Sequence, residues 1–247
     1  MTDSNIVLFI VVGFVAQVID GALGMAYGVS STSFLLGLGM SPAAASASVH
    51  AAEIVTSGVS GLSHLRLGNV DRNLFKRLLL PGVIGGVLGA YILTALPAST
   101  IKPLVSIYLV AMGLLILRKS FKEMQQEPTR QHLTPLALAG GFFDAIGGGG
   151  WGPIVTSTLV ATGNRPRFVI GSVNLAEFFV TVCESITFIL TIGLVHTRII
   201  LGLIIGGAAA APLAAYVCRK LPTRVLMRMV GVLIIALSIR TIYLTLK

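Results

Sequence analysis

Five of the nine acids in this chain, Asp20, Glu53, Asp144, Glu177 and Glu184, lie inside apolar stretches. A charge in such surroundings is costly unless it is solvated, paired or put to use. Glu53 belongs to a stripe, Ser46, His50, Glu53 and Ser57, that recurs at helical spacing along one face. A second stripe repeats the pattern as Asn174, Glu177, Thr181 and Glu184. Such faces are expected to point at each other or at a cavity rather than at lipid. Two kinds of chemistry suit them. Polar side chains hydrogen-bond membrane helices together, and a carboxyl group within a bilayer can carry a proton. Glu53 and Glu177 are the first candidates for proton uptake, with His50 assisting. His50 stands three residues before Glu53, a spacing that also suits a metal. A metal site would draw on further histidine or cysteine, however, and the position equivalent to His50 is Asn174. No metal and no cofactor are therefore expected.

Asp20 and Asp144 each precede a cluster of glycines that interrupts an apolar run. The first interruption is Asp20-Gly-Ala-Leu-Gly24-Met-Ala-Tyr27-Gly28, and the second is Asp144-Ala-Ile-Gly-Gly148-Gly149-Gly-Trp151-Gly152. Asp144, Gly148, Trp151 and Gly152 all stand 124 positions after Asp20, Gly24, Tyr27 and Gly28. Glycine lets a backbone turn sharply and lets a ligand approach it closely. The two acids can cap the N–H groups freed at the break or contact a ligand. Hydroxyls follow each break, Ser30 to Ser33 in one case and Thr156, Ser157 and Thr158 in the other, with Pro153 suited to a first helical turn. Helix N-termini set deep in a membrane present N–H groups and partial positive charge to an anion. The resulting substrate-binding candidates are Gly24, Tyr27, Gly28, Ser31, Ser33, Ser48, His50, Gly148, Gly149, Trp151, Thr156, Ser172 and Asn174. Tyr27 and Trp151 either shape that pocket or pack in the core.

The elements that must hold these residues follow from length. A helix rises about 1.5 Å per residue, so about 20 residues cross a hydrocarbon core of about 30 Å. The runs on either side of each break, Ile6–Ile19 with Phe34–Met40 and Leu133–Ile146 with Pro153–Thr162, are too short alone. They read as paired half-helices, whose free backbone must be buried in protein or line a wet cavity. Three longer runs follow each break: Ala43–Leu65, Leu78–Leu96 and Ile101–Leu117, then Phe168–Val195, Ile199–Val217 and Val225–Leu246. The chain is thus expected to be an all-α membrane protein of one domain, with repeats over 6–118 and 135–245 joined by a linker over 119–134. Further matches, such as Pro42 with Pro166, Ser48 with Ser172 and Glu53 with Glu177, extend the duplication. One residue is then gained, so that Gly82 corresponds to Gly207.

Basic residues give an orientation. If each broken pair goes in and back out, every half has an odd number of crossings and the halves are inverted. Loops 66–77, 118–132, 163–167 and 219–228 then share the cytoplasmic side and hold 14 of the 18 Lys and Arg. Both termini fall outside the cytoplasm, and Met1 to Asn5 lack the basic flank of a cleaved leader. With 55% hydrophobic and 11% charged residues, a polytopic membrane protein is indicated. The net charge of +9 sits in short loops, not on a separate folded unit, so no nucleic-acid partner is expected. Cys183 and Cys218 match neither a disulfide framework nor a metal motif. No nucleophile motif or Walker loop is present, so an enzyme is not expected.

The segment Asp20-Gly-Ala-Leu-Gly24-Met-Ala-Tyr-Gly28, the Ser48-Val-His50 stretch with Glu53, the run Gly147–Gly152 and the motif Gly171-Ser-Val-Asn174 resemble the sulfite exporter TauE/SafE family over nearly the whole chain. The resemblance implies a secondary transporter in the cell membrane for a small sulfur-containing anion such as sulfite. Independently of it, glycine breaks at corresponding positions of two halves point to a transporter binding site at the midplane. An anion channel and a membrane-embedded enzyme acting on a lipid-soluble substrate remain the alternatives. Oligomeric state is open.

Overall fold

The computed structural model describes residues 6–23, 25–121, 132–162, 164–193, 196–220 and 223–246; Gly24 and most of the linker between the halves lie outside them. The described chain is helical. In the first half, α1 (Ile6–Leu23) and α2 (Tyr27–Gly37) flank the first break, followed by α3 (Pro42–Arg66), α4 (Arg72–Ala95) and α5 (Ala98–Lys119). In the second, α6 (Leu133–Gly147) leads to the second break. A π-helical turn, Gly152–Thr156, then runs directly into α7 (Ser157–Ala161). Next come α8 (Pro166–Ile192), α9 (Thr197–Lys220) and α10 (Thr223–Leu246). Among the described residues, Arg72–Ala95, Ala98–Lys119 and Arg167–Ile192 are long and apolar enough to cross a membrane.

Local chemistry sets several boundaries. α3 opens at Ser41, whose Oγ accepts from the Ala44 N–H, with Pro42 in the first turn where its missing N–H costs nothing. α4 starts six residues before the apolar run that marks it in the sequence. The Asp71 carboxylate accepts from the N–H groups of Asn73 and Leu74, so a polar turn is added. α1 runs past Ile19 to Leu23, carrying Asp20 into the helix.

Packing joins the halves rather than separating them. α1 lies along α9 and α4 along α6, while α3 packs on α8 and α5 on α10. Exchanging the halves leaves this pairing unchanged, since α1, α3, α4 and α5 correspond to α6, α8, α9 and α10. On the α3–α8 seam, Gly58 meets Phe178, Gly61 meets Leu175 and His50 meets Glu184, so the two helices run antiparallel. On the α5–α10 seam Gly113 faces Ile235 and Gly231 faces Leu117, so these helices are antiparallel too.

Glycine makes these approaches close. A Cβ at Gly85 of α4 would stand 2.1 Å from the Leu138 carbonyl oxygen of α6, and one at Gly141 of α6 would stand 2.2 Å from the Gly82 oxygen. Backbone-to-backbone contact of this kind is how membrane helices gain van der Waals energy where no hydrophobic drive separates protein from lipid. Gly85→Val is expected to part α4 from α6, since an overpacked core loses about 1–3 kcal/mol even when side chains can yield. Thermal unfolding in detergent, followed by the folded monomer peak, should show the loss.

Candidate functional site

The two breaks touch. A Cβ on Gly28 would lie 2.3 Å from the Gly148 carbonyl oxygen and 2.5 Å from the Gly149 Cα. Thr32 Oγ1 donates to that same Gly148 oxygen at 3.0 Å. Gly148 and Gly149 have φ of 64° and 154°, conformations that L side chains rarely adopt. In the first break the turn falls on Ala26 instead, with φ of 106°. Each break is closed by its own acid. Asp144 Oδ1 accepts from the N–H groups of Gly150 at 2.6 Å and Trp151 at 2.9 Å. Asp20 Oδ1 accepts from the Tyr27 N–H at 3.3 Å. The second break's N–H groups are therefore engaged by Asp144, where the sequence leaves open whether they face a ligand.

The aromatic residues after the breaks are wholly packed. Trp151 is 0% exposed and its ring lies against Gly82 of α4. Its Nε1–H donates to the Val173 carbonyl at 3.2 Å. Tyr27 is 1% exposed, lies beside Gly207 of α9 and donates to the Leu203 carbonyl at 3.4 Å. Gly82 and Gly207 correspond in the duplication, as do Tyr27 and Trp151, so each ring has its own glycine to rest on. Both rings are buried and packed.

Beneath the breaks the stripes of α3 and α8 face each other. His50 is fully buried; its Nδ1 lies 2.8 Å from the Ser46 carbonyl oxygen. Its Nε2 stands 2.8 Å from Glu184 Oε2 and 3.6 Å from Asp144 Oδ2. Ser46 Oγ donates to the Ala145 carbonyl at 2.5 Å, tying α3 to the end of α6. His50, Asp144 and Glu184 each offer a ligand atom, and these atoms lie within 4.8 Å of one another. Glu53 is buried nearby on α3, with its carbonyl accepting from Ser57 Oγ at 2.6 Å. Glu177 is half-buried.

Several hydroxyls around the breaks are buried with no hydrogen-bond partner among the described residues. They include Ser31, Ser33 and Thr156, together with Thr181 and Ser185 on α8. Three other candidates sit elsewhere. Ser48 Oγ donates to the Ala44 carbonyl of its own helix. Ser172 Oγ exchanges hydrogen bonds with the backbone of Asp71, and Asn174 Nδ2 donates to Ser60 Oγ at 2.8 Å. Ser172 is thereby held at the α3–α4 loop, about 18 Å along α8 from Glu184 at the usual rise per residue. Gly24 lies outside the described residues.

Two participants escape the sequence-based candidate set. Glu184 stands out only as the last member of the α8 stripe, and nothing local ties it to His50. Tyr108 of α5 sits in an apolar run; its ring stacks on Phe143 at 5.3 Å and presses against Gly147, and its hydroxyl is buried beside Gly150 without a partner among the described residues. A phenol in an apolar span is the signal that could have marked it.

Comparison with known proteins now decides the family. The sequence model described as Sulfite exporter TauE/SafE matches residues 9–241. The chain belongs to the TauE/SafE family. It is also 40% identical, over an alignment of 248 positions, to the probable membrane transporter protein YtnM of Bacillus subtilis (strain 168), covering 96% of this chain and 83% of that protein. No solved structure matches it. As a TauE/SafE protein with apolar spanning helices, the chain is a multi-pass membrane transporter.

Proposed function

We propose that this chain is a secondary transporter that exports sulfite or a related sulfur-containing anion by alternating access. The observation that carries the reading is the meeting of the two breaks at Gly28 and Gly148–Gly149, with the hydroxyls of Ser31, Ser33 and Thr156 buried around them and unpartnered among the described residues. Unpartnered buried hydroxyls carry a desolvation cost unless something uses them. An oxyanion accepts hydrogen bonds from such groups. The sulfur in the proposal comes from the family's description, and the single binding region from broken helices facing one another at the midplane.

Access changes as one half rocks against the other about this region. The antiparallel seams α3–α8 and α5–α10 join equivalent helices, which supports inverted halves related by an axis in the membrane plane. That topology puts the basic loops in the cytoplasm and both termini outside it. Arg167 fits the arrangement: it lies at the start of α8 and hydrogen-bonds the Leu67 carbonyl and Asn69, so loops 66–77 and 163–167 share one side. Glu53 carries the coupling proton, with Glu177 its equivalent.

Purified protein in liposomes is expected to show saturable counterflow of labelled sulfite, accelerated by a pH gradient. Flux without saturation or counterflow would mean a channel, and product formation an enzyme. Glu53→Gln keeps size and much hydrogen bonding while removing the titratable group. It is expected to retain counterflow and to lose acceleration by the gradient about ten-fold or more. Gradient-driven flux at the wild-type level in both Glu53→Gln and Glu177→Gln would reduce these acids to structure.

A further inference from the structure

We infer that His50, Asp144 and Glu184 form a binding site for one divalent transition-metal ion. The inference does not depend on the transport reading, and it departs from the expectation of no metal, which rests on the lack of further histidine or cysteine and on Asn174 at the position equivalent to His50.

The atoms that converge face one another rather than any other polar group among the described residues. His50 Nε2, Asp144 Oδ2 and both carboxylate oxygens of Glu184 are buried and have no hydrogen-bond partner among the described residues. His50 Nδ1 lies 2.8 Å from a backbone carbonyl, which can only accept. Nδ1 thus carries a ring proton, and Nε2 faces Glu184 Oε2 at 2.8 Å and Asp144 Oδ2 at 3.6 Å. Lone pair against carboxylate is repulsive unless a proton or a metal ion lies between them, and a proton on Nε2 would reach Glu184 Oε2 at 2.8 Å while leaving Asp144 Oδ2, at 3.6 Å, without a hydrogen bond.

The two separations from His50 suit an ion. Neighbouring ligands of an octahedral ion at about 2.1 Å stand about 3.0 Å apart, and those of a tetrahedral one somewhat farther. One imidazole and two carboxylates form a ligand set that Zn²⁺, Mn²⁺ or Co²⁺ accepts.

The outer shell is also in place. A metal-binding imidazole characteristically donates its other N–H to a carbonyl or carboxylate, as Nδ1 does to Ser46. A ligating carboxylate is in turn held by hydrogen bonds. Asp144 Oδ1 takes the Gly150 and Trp151 N–H groups and leaves Oδ2 to the site. Gly86 of α4 supplies room for the third ligand, since a Cβ there would stand 2.3 Å from Glu184 Oε1. Charge gives the remaining argument. Two carboxylates balance a divalent ion to zero, the state that costs least in a membrane interior. A single proton in its place leaves the cluster at −1.

The test uses the full-length protein in detergent, purified on a tag without histidine and freed of metal with a chelator. Titration with Co²⁺, read by its visible d–d absorption, and with Zn²⁺, read by calorimetry, should each give one ion per chain. Glu184→Gln and His50→Gln are expected to weaken binding at least about a hundred-fold, beyond the ten- to hundred-fold typical of outer-shell changes. Gly86→Ala keeps every ligand but crowds the Glu184 carboxylate, and should weaken binding about ten-fold. Cys183→Ser should bind as the wild type does. The absence of stoichiometric binding in the folded wild-type protein at 100 µM metal, on the order of the loosest site worth the name, would overturn the proposal. So would undiminished binding in folded Glu184→Gln and His50→Gln.

Discussion

Gly149→Val is expected to leave almost no folded protein in the membrane. Three separate costs fall on this residue. Its φ of 154° lies where side chains bearing a Cβ are rarely found, which alone costs on the order of 1–3 kcal/mol. The new Cβ would stand 2.1 Å from the Val29 nitrogen and 2.4 Å from the Gly28 carbonyl carbon. Both are backbone atoms, so no rotamer change relieves the clash and α2 must move away from the second break. That movement also breaks the Thr32–Gly148 hydrogen bond. Gly39→Val separates the terms, because Gly39 has φ of 94° but nothing within 4 Å of a built Cβ. It should cost only the backbone strain and insert nearly normally. Membrane yield and fluorescence-detected size exclusion compare the two; equal yields would mean that the breaks are not held in contact.

Asp144 gives the second large effect, with a split between two substitutions. Asp144→Ala removes the oxygen that accepts both the Gly150 and Trp151 N–H groups. Each buried donor left alone costs about 1–3 kcal/mol, with no water in a bilayer core to replace it. Loss of several kcal/mol is therefore expected, enough to lower the melting temperature sharply. Asp144→Asn retains a carbonyl that can accept the same pair, so its melting temperature should stay close to the wild type. Asp20→Ala should fall between, because Asp20 accepts only the Tyr27 N–H among the described residues, at the longer distance of 3.3 Å. An Asn variant as unstable as the Ala variant would show that the charge, not the cap, holds the break together.

The fold was largely legible because apolar runs in a membrane protein report their own length. The short runs around Asp20 and Asp144 correspond to α1 with α2 and α6 with α7, and the six longer runs to the six long helices. Boundaries missed by several residues wherever a polar turn joined a helix, as at Asp71 before α4, since hydropathy does not see a cap. The stripes on α3 and α8 were legible from their period, and they do face one another. What no period contains is which members meet. His50 lies beside Glu53 in sequence, yet its Nε2 points to Glu184, 134 positions away. The antiparallel seam makes that pairing, and it follows from α3 and α8 lying side by side rather than from either stripe. The sequence marks the glycines of the breaks for a ligand and assigns no contact to Gly82, Gly85 and Gly141. Gly28 also admits the second break, and the other three admit a ring or another helix, a distinction that only the neighbour can make.

Trp151 is the chain's single tryptophan, and its indole is sealed between α4, α6 and α8 at the mouth of the second break. The protein therefore carries one indole fluorophore, which can be excited apart from its five tyrosines, at the point where the halves meet. Emission from the closed arrangement should be blue-shifted and poorly quenched by iodide. Any motion that parts the break from Gly82 would wet the ring and shift its colour. Conformational change can thus be timed by stopped flow on the unlabelled protein.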